Sequence, residues 1–496
     1  MTRDGWSVIG DRVTALLRRR IHIDTRALAM LRMALGLLLV ADVVARAPDL
    51  VAFYTDTGVV PRSALAEIAP TFGSLSIHAL WGTALPQAIL FLLAGLAAVA
   101  LLVGYRTRVA TLVSLVLLIS LHARNPAILN GGDTLLRHLL VWGVFLPLGE
   151  RWSVDAVRRD HERDRIASLA TAGLLAQVVL VYGTNAVLKL RGDIWLAGDA
   201  VEQALMLTRY STPIGAAILE FPLLPMIADY LWLGLLLASP LLLVTTGTAR
   251  VVLVGAFAAM HAGMALSMGL GLFPYISIAA LVPFVPSHIW NRVPDPPTPV
   301  FTYIDTALPR PGRPSTMLWD IFSPLVRPAA GLLLVGMVVV NAASIGLVEY
   351  PQATPDAVED KSWSMFAPRP PSDDGWYVAS ALLDSGDRMD LLRGSRLSWD
   401  RPPDVDNTYP NNRWQKLLYQ LRGRPEVALQ RPLARYLCRQ WNQRHLTDAI
   451  SIRLVYVEYP TDRPGRGDRL QLTRLSCPTP TADAMHADDT SRGPPA

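Results

Sequence analysis

The sequence LPQAILFLLAGLAAVALLVG, at residues 85–104, contains no ionisable side chain over its whole length. A helix of about 20 apolar residues crosses the roughly 30 Å hydrocarbon core of a lipid bilayer. Helices are favoured there because every backbone polar group finds its hydrogen-bond partner inside the helix. The stretch therefore predicts a transmembrane helix.

The same signal recurs eight more times along the chain. The apolar stretches lie at 27–45, 107–123, 134–149, 166–188, 227–246, 250–269, 272–289 and 328–348. The composition agrees, because 51% of the 496 residues are hydrophobic and only 18% are charged. Soluble proteins carry about 25% charged residues. The sequence therefore predicts an all-α polytopic membrane bundle of about nine transmembrane helices.

Basic residues predict the orientation of this bundle, because loops rich in Lys and Arg remain in the cytoplasm. With nine spans, the Arg residues before the first span and after spans two, four, six and eight all fall on one side. We therefore expect a multi-pass protein of the inner or plasma membrane, with a cytoplasmic N-terminus and an extracytoplasmic C-terminal domain. The net charge of +5 is spread over many loops, which argues against nucleic-acid binding.

Composition divides the chain into six segments. They are a cytoplasmic N-terminal segment at 1–26, a transmembrane domain at 27–290, a Pro-rich cytoplasmic connector at 291–326, a final transmembrane helix at 327–349, a small extracytoplasmic domain at 350–477, and a disordered tail at 478–496. Two adjacent helices near 195–220 are expected on the membrane surface, and a short helix is expected near 315–324.

The C-terminal domain is predicted to be of the α+β class and soluble. Residues 374–384 and 451–459 are typical of strands, and residues 411–422 and 431–444 are typical of helices. Its Trp and Tyr residues near the last span, Trp363 among them, are expected to anchor at the membrane interface. Cys438 and Cys477 lie in this domain, where an extracytoplasmic location permits a disulfide, and the sequence leaves their pairing open. The sequence contains no CxxC pair or Cys/His cluster, so a metal site is not expected.

Ionisable residues inside spans are costly and mark candidate functional positions. Lys189 closes the fifth span, and Tyr182 and Asn185 lie seven and four residues earlier, on the same helix face. A lysine at a helix end can extend to the membrane surface. The alternative is a lysine in a dry pocket, where the ammonium form is disfavoured and a neutral amine can accept a proton.

Two further positions admit a structural and a functional interpretation. Asp133 can cap the fourth span and pair with Arg137 four residues later, or it can belong to a polar cluster that positions a substrate. His261 lies in the middle of the seventh span, where a histidine either forms a structural hydrogen bond or binds a ligand. The small residues after it, such as Gly263, permit close helix packing.

Several motifs occur in a fixed order over about 20–290. They are Arg32–Gly36, Tyr54–Gly58, Gly104–Arg108, Asn130–Asp133, Trp152–Asp155, the spaced set Tyr182, Lys189, Leu190, Trp195 and Gly198, and the run from His261 to Pro274. In this order they resemble the HTTM family, whose best-known member is the vitamin K-dependent γ-carboxylase. The C-terminal domain, with Trp-Ser-Met-Phe-Ala-Pro at 363–368, resembles that of bacterial members.

The resemblance implies a specific chemistry. In the carboxylase, a neutral lysine activates a reduced quinone that reacts with oxygen, and the strong base formed removes a γ-proton from a glutamate, which then captures carbon dioxide. Lys189 matches that lysine. The chain departs from the animal enzymes at Asp133, where they carry a histidine, and at Gly263–Ala265, where they carry polar residues.

The positions of the residues and the resemblance together give expected roles to seven residues. Lys189, Asp133 and His261 are expected in catalysis, and Tyr182, Asn185, Arg137 and Trp195 in cofactor binding. The implied cofactor is menaquinol or vitamin K hydroquinone, and the implied partner is an extracytoplasmic peptide or protein.

Other functions remain open from the sequence. Lys189 could serve a different quinone- or lipid-linked reaction. The chain could also be a non-enzymatic membrane scaffold, or a quinone- or lipid-binding protein that presents its C-terminal domain outside. A transporter is less favoured, because the sequence shows no internal repeat.

Overall fold

The computed structural model describes residues 19–159, 163–295, 298–309, 314–351, 363–372, 374–402, 405, 408–423, 426–459 and 468–478. The predicted disordered tail lies outside these residues except for its first position, and so does most of the predicted N-terminal segment. The chain is mostly helical, with a small sheet near the C-terminus. The predicted combination of a helical bundle and an α+β domain is confirmed at this level.

The main helices of the bundle follow the apolar stretches. They are α1 (Thr25–Arg46), α2 (Ala84–Val103), α3 (Thr107–Arg124), α4 (Gly131–Phe145), α5 (Leu169–Leu190), α6 (Leu223–Ala238), α7 (Gly247–Ser267), α8 (Phe273–Leu281) and α9 (Pro314–Ser344). Within the described residues, six segments are long and apolar enough to cross a membrane: Thr25–Tyr54, α2, α3, α5, α7 and the Pro324–Ser344 part of α9.

Three of the nine predicted spans are shorter than a bilayer requires. Helix α4 has 15 residues, α6 has 16 and α8 has 9. Each ends just before a proline, namely Pro147, Pro240 or Pro283. Proline lacks the N–H that would continue the helix, which accounts for the early ends. The count of nine spans is therefore not confirmed, although each predicted span corresponds to a helix.

Shorter helices fill the connections. They are Leu50–Tyr54, Arg62–Ile68, Pro70–Ser74, Val154–Val157, Asp193–Ala197, Ala200–Met206, Pro213–Ile218, Leu241–Val244, Ser287–Trp290 and Thr298–Ala307. The predicted pair near 195–220 is three helices. The short helix predicted near 315–324 is the first part of α9, which continues through Pro324 and Pro328 into the last predicted span.

Close backbone contact and buried polar bonds hold the bundle together. A Cβ added at Gly36 of α1 would lie 2.7 Å from Leu102 of α2, so only glycine permits this approach. Arg32 is fully buried one turn earlier, and its guanidinium donates to the carbonyl of Trp152 at 2.5 Å and to that of Arg151 at 3.1 Å. This residue therefore joins α1 to the loop after α4.

The C-terminal domain contains a five-stranded antiparallel sheet. Its strands are β1 (Trp376–Leu383), β2 (Arg388–Asp390), β3 (Ser395–Arg396), β4 (Ala449–Val457) and β5 (Arg469–Ser476), in the order β3-β2-β1-β4-β5. Helices α10 (Asn412–Leu421) and α11 (Arg431–Arg444) complete the domain. The predicted strands at 374–384 and 451–459 and both predicted helices are confirmed, while β2, β3 and β5 were not predicted. Cys438 of α11 and Cys477 after β5 form a disulfide.

The C-terminal domain packs directly on the bundle. Phe53, just after α1, belongs to the same hydrophobic core as Trp414 of α10, and their ring centroids are 4.9 Å apart. The Trp414 indole also donates to Asp49 at 2.9 Å, and Asn412 donates to the carbonyl of Gly269 at 2.8 Å. The first turn of α10 is thereby held against the end of the membrane helices.

Candidate functional site

A cavity of about 820 Å³ lies where the bundle meets the C-terminal domain. Helices α6 and α7 contribute Trp232, Met260 and Met264 to its wall, and α10 contributes Lys416 and Tyr419. The volume falls in the range of about 300–1,000 Å³ that is typical of small-molecule sites. Four of the seven predicted site residues line this cavity, namely Lys189, Asn185, Arg137 and Trp195.

Lys189 is buried at the C-terminal end of α5, with 2% of its surface exposed. Its Nζ lies 3.1 Å from the centroid of the Trp195 ring and donates to the carbonyl of Met365 at 3.2 Å. In the part of the chain that the structure describes, no carboxylate lies within ion-pair distance of Nζ. The residue is therefore enclosed rather than extended to solvent, and no counter-charge is in contact with it.

Asn185 lies one turn before Lys189 on the same helix face, as the spacing predicts. Its Nδ2 donates to the carbonyls of Trp363 at 2.8 Å and Ser364 at 3.1 Å. These two bonds fix which end of the amide is the nitrogen. The buried Oδ1 has no hydrogen-bond partner among the described residues. Asn185 thus offers an unused acceptor in the cavity wall.

Residues 363–371, here named the strap, close one side of the cavity. The carbonyls of residues 363–366 all accept bonds from side chains of the membrane domain, the last from Trp195 Nε1 at 3.1 Å. Gln203 Nε2 then donates to the carbonyls of Pro370 at 3.1 Å and Pro371 at 2.9 Å. Met365 and Phe366 adopt φ values of 28° and 65°, which residues other than glycine rarely adopt.

The strap corrects the expectation that its aromatic residues anchor at the membrane interface. Trp363 is 7% exposed and belongs to the hydrophobic core of the membrane bundle. Its ring packs edge-on against His138 of α4, with centroids 5.7 Å apart. No local pattern in the sequence distinguishes such an inserted tryptophan from an interfacial one, because the two differ only in tertiary contacts.

Asp133 belongs to a second polar group, here named the Asp133 cluster. The cluster comprises Asp42, Arg46, Tyr54, His122, Asp133 and Arg413. Arg46 is fully buried and binds Asp42 and Asp133, each at 2.8 Å, and donates to the Tyr54 hydroxyl at 2.7 Å. Arg413, from α10, binds Asp42 and lies 3.6 Å from Asp133. The cluster therefore joins the bundle to the C-terminal domain.

The predicted cap at Asp133 is confirmed, and its predicted partner is wrong. Asn130 and Asp133 form a capping box at the start of α4. The ionic partners of Asp133 come from α1 and α10, whereas Arg137 donates to Thr134 Oγ1 at 3.1 Å. Long-range partners thus replace the local i,i+4 pair. Asp133 does not line the cavity, whereas Asn130 and Gly131 do.

His261 and Tyr182 lie behind the cavity wall, bonded to each other. Their side chains are joined by a 3.0 Å hydrogen bond between Tyr182 Oη and His261 Nε2. Trp232 packs edge-on against His261 at 5.3 Å and itself faces the cavity. The structure therefore favours the structural interpretation of His261 and places Tyr182 beside it rather than at the cavity surface.

The C-terminal domain contributes cavity residues that sequence reasoning did not single out. These are Asn412, Lys416, Tyr419 and Gln420 of α10, together with Arg369 of the strap. Residues 412, 416, 419 and 420 share one face of α10 by helical spacing. That periodicity is visible in the sequence, but only the docking of the domain shows that this face meets the membrane helices.

The HTTM domain family model matches residues 21–290. No curated protein and no solved structure matches the chain. The matched range contains α1 to α8 and the buried Lys189, and it ends before the connector. The HTTM domain is also found in vitamin K-dependent γ-carboxylase. Because the match covers more than half of the sequence, this chain belongs to the HTTM family.

Proposed function

We propose that this membrane protein binds a reduced quinone in the cavity and uses Lys189 as the base that accepts a proton from it, in a carboxylase-like modification of an extracytoplasmic peptide. The observation that carries the proposal is the position of Lys189. Its Nζ is buried in the wall of a largely apolar cavity, where it lies against a ring face and donates to a carbonyl.

The residues present fit a quinone ring and its apolar tail. Trp195, Trp232 and Phe273 supply flat aromatic walls, and the methionines of α7 supply adaptable apolar surface. The unpartnered Asn185 Oδ1 can accept a hydrogen bond from a ring hydroxyl group. The cavity therefore offers both the apolar surface and the polar group that a quinol requires.

The chain's own residues would divide the chemistry among themselves. A bound reduced quinone would supply hydroxyl protons and the electrons that reduce molecular oxygen. Lys189, as the neutral amine, would accept a hydroxyl proton, and Asn185 Oδ1 would orient that hydroxyl. Trp195, whose ring lies against Nζ, would then stabilise the resulting ammonium through its π face. The carbonyl of Met365 can keep its hydrogen bond during this transfer, because it uses an N–H of the amine and not the lone pair that accepts the proton.

A second candidate, a non-enzymatic quinone- or lipid-binding protein, is favoured by the strap. The Met365 carbonyl accepts a hydrogen bond from Lys189, and it is one of four successive strap carbonyls that accept bonds from the membrane domain. A strap that stays in place would close one side of the cavity to a peptide substrate. The two candidates therefore differ in whether Lys189 is needed for turnover or only for binding.

The test is an assay of quinol epoxidation by the purified full-length protein. Wild type supplied with menaquinol or vitamin K hydroquinone should form epoxide, and Lys189→Ala should form none. Arg191→Ala is the matched control, because Arg191 is a basic residue two positions later that is exposed and donates to Ile345. Saturable quinone binding without any epoxide from wild type would support the binding protein. Absence of both would refute the proposed cofactor.

The proposed location of the C-terminal domain is extracytoplasmic. Its Cys438–Cys477 disulfide supports this, because structural disulfides persist in oxidising compartments and are rare in the cytoplasm. The distribution of Arg over the loops agrees. Activity of a reporter that works only in the cytoplasm, fused after Glu349, would contradict this orientation.

A further inference from the structure

The cavity wall changes character from one contributing element to the next. The residues from α6 and α7, such as Ala228, Trp232, Met260 and Met264, are almost all apolar. All the residues from α10, such as Lys416 and Gln420, carry a polar group. A cavity built in this way matches a ligand with one apolar end and one polar end.

The described residues that line the cavity include four basic side chains and no carboxylate. These side chains are Arg137, Lys189, Arg369 and Lys416. None of the four is in an ion pair within the residues that the structure describes. Arg413, three residues before Lys416 in the same helix, is paired with Asp42. Unpaired cations around an apolar cavity favour a ligand that brings its own negative charge.

His122 also lies in the cavity wall and is 1% exposed. Its Nε2 is 3.1 Å from Arg46 Nη2 and 3.4 Å from Asp133 Oδ1. His122 therefore joins the basic part of the cavity wall to the Asp133 cluster.

We infer that the cavity binds a single-chain amphiphile with an anionic head group, a carboxylate or a phosphate. Arg137 and Lys416 hold the head group, and the apolar wall of α6 and α7 holds the chain. A volume of about 820 Å³ suits one chain rather than a two-chain phospholipid. The inference goes beyond the proposed function, since this ligand would bind whether or not Lys189 acts on a quinone.

The experiment measures binding of dansylundecanoic acid to the full-length protein in an uncharged detergent. Wild type should bind this probe saturably, and Lys416→Gln and Arg137→Gln should each weaken binding about tenfold, the worth of one charge-assisted hydrogen bond. Arg396→Gln is the control, because Arg396 is an exposed arginine of β3 that does not line the cavity. It should bind as wild type does. Thermal unfolding of each variant confirms that it is folded.

Displacement of the probe identifies the head group. Lysophosphatidic acid and a free fatty acid distinguish the phosphate from the carboxylate, and lysophosphatidylcholine of equal chain length lacks a net negative charge. The inference is overturned if lysophosphatidylcholine competes as well as the anionic lipids do. It is also overturned if wild type binds no probe, or if an acidic peptide displaces the probe at lower concentrations than any lipid does.

Parallel measurements of quinone binding keep the inference separate from the proposed function. Met264→Trp fills the apolar wall and should weaken binding of the anionic probe without changing the cationic residues. Quinone binding is measured on the same samples. Quinone binding without probe binding overturns only the inference, and probe binding without quinone binding or epoxidation overturns only the proposed function.

Discussion

Two buried polar groups lie near the junction of the bundle and the C-terminal domain, and they differ in how their charges are satisfied. In the Asp133 cluster, two arginines face two carboxylates, and a tyrosine hydroxyl accepts one further hydrogen bond. Around Lys189, the described chain offers a carbonyl and a ring face. A cluster whose charges are all paired contributes to structure, whereas an ionisable group without an ion pair beside a cavity is a candidate catalytic group.

This comparison reassigns residues that the sequence presents as equivalent. Asp133 and Lys189 are both ionisable groups at span ends, and both were predicted to be catalytic. The partners of Asp133 tie it to α1 and α10, so its substitution should act on stability. Lys189 has no ionic partner to lose in the described structure, so its substitution should act on function. The following predictions test that division.

The largest expected effect is the loss of stability from Arg46→Met. The substitution leaves Asp42 and Asp133 buried with less compensating charge, which should cost about 3–5 kcal/mol. Unfolding of the purified protein in detergent measures this. The matched control is Arg62→Met, whose ion pair with Asp56 is exposed and should contribute about 1 kcal/mol or less. Equal losses in both variants would show that the Asp133 cluster is not specially stabilising.

Arg413→Gln should have the next largest effect. It removes the contribution of the C-terminal domain to the Asp133 cluster, including the bond to Asp42, at a cost of about 1.5–3 kcal/mol. Because Arg413 joins the two domains, the variant should also be cleaved faster by protease between the last span and the sheet. Arg396→Gln serves as the control in the same domain. An unchanged cleavage rate would mean that Asn412 and Trp414 alone hold the domain in place.

Part of this division could be predicted from sequence. Helical spacing placed Asn185 on the face of Lys189, and both residues line the cavity. The same spacing failed for Asp133 and Arg137, because local periodicity cannot weigh a competing partner such as Arg46, 87 residues away along the chain. The apolar stretches predicted where helices form. They overestimated the lengths of α4, α6 and α8, where a proline ends each helix.

The strap and the cavity face of α10 could not be predicted in this way. Each depends on the docking of one domain on another, and local sequence does not show which faces meet. Trp363 shows the reason: an aromatic residue near a span end has the same sequence context whether it lies at the interface or inserts into the bundle. The basic character of the cavity depends on Lys416 and Arg137, which only the folded structure brings together.

Lys189→Met should change the free energy of unfolding by about 1 kcal/mol or less, or even raise it. Methionine retains apolar volume, and Asp229, whose charge acts on Lys189 without a direct ion pair, keeps the hydrogen bonds that it accepts from the Ala200 and Val201 amides. Epoxidation should be abolished in the same variant. Unfolding and epoxidation assays on one preparation measure both quantities. A loss of stability as large as that of Arg46→Met would contradict the division between the two groups.

The smallest effect concerns Glu150, which extends the comparison to an ionic group beyond the end of α4. Its carboxylate accepts from Arg163 at 2.9 Å and lies 3.2 Å from Arg159. Burial opposes the charged form, but the hydrogen bond and charge of Arg163 outweigh it and hold the pKa of Glu150 below its ordinary value of 4.5. A depressed pKa stabilises the folded state above the ordinary value, and this stabilisation is lost as the pH falls through the lowered pKa. Glu150→Gln should therefore be slightly less stable than wild type at neutral pH, and the difference should shrink below pH 4.5. Unfolding of both proteins across this range measures the trend, and a difference that grows on acidification would show that the two arginines do not stabilise the carboxylate.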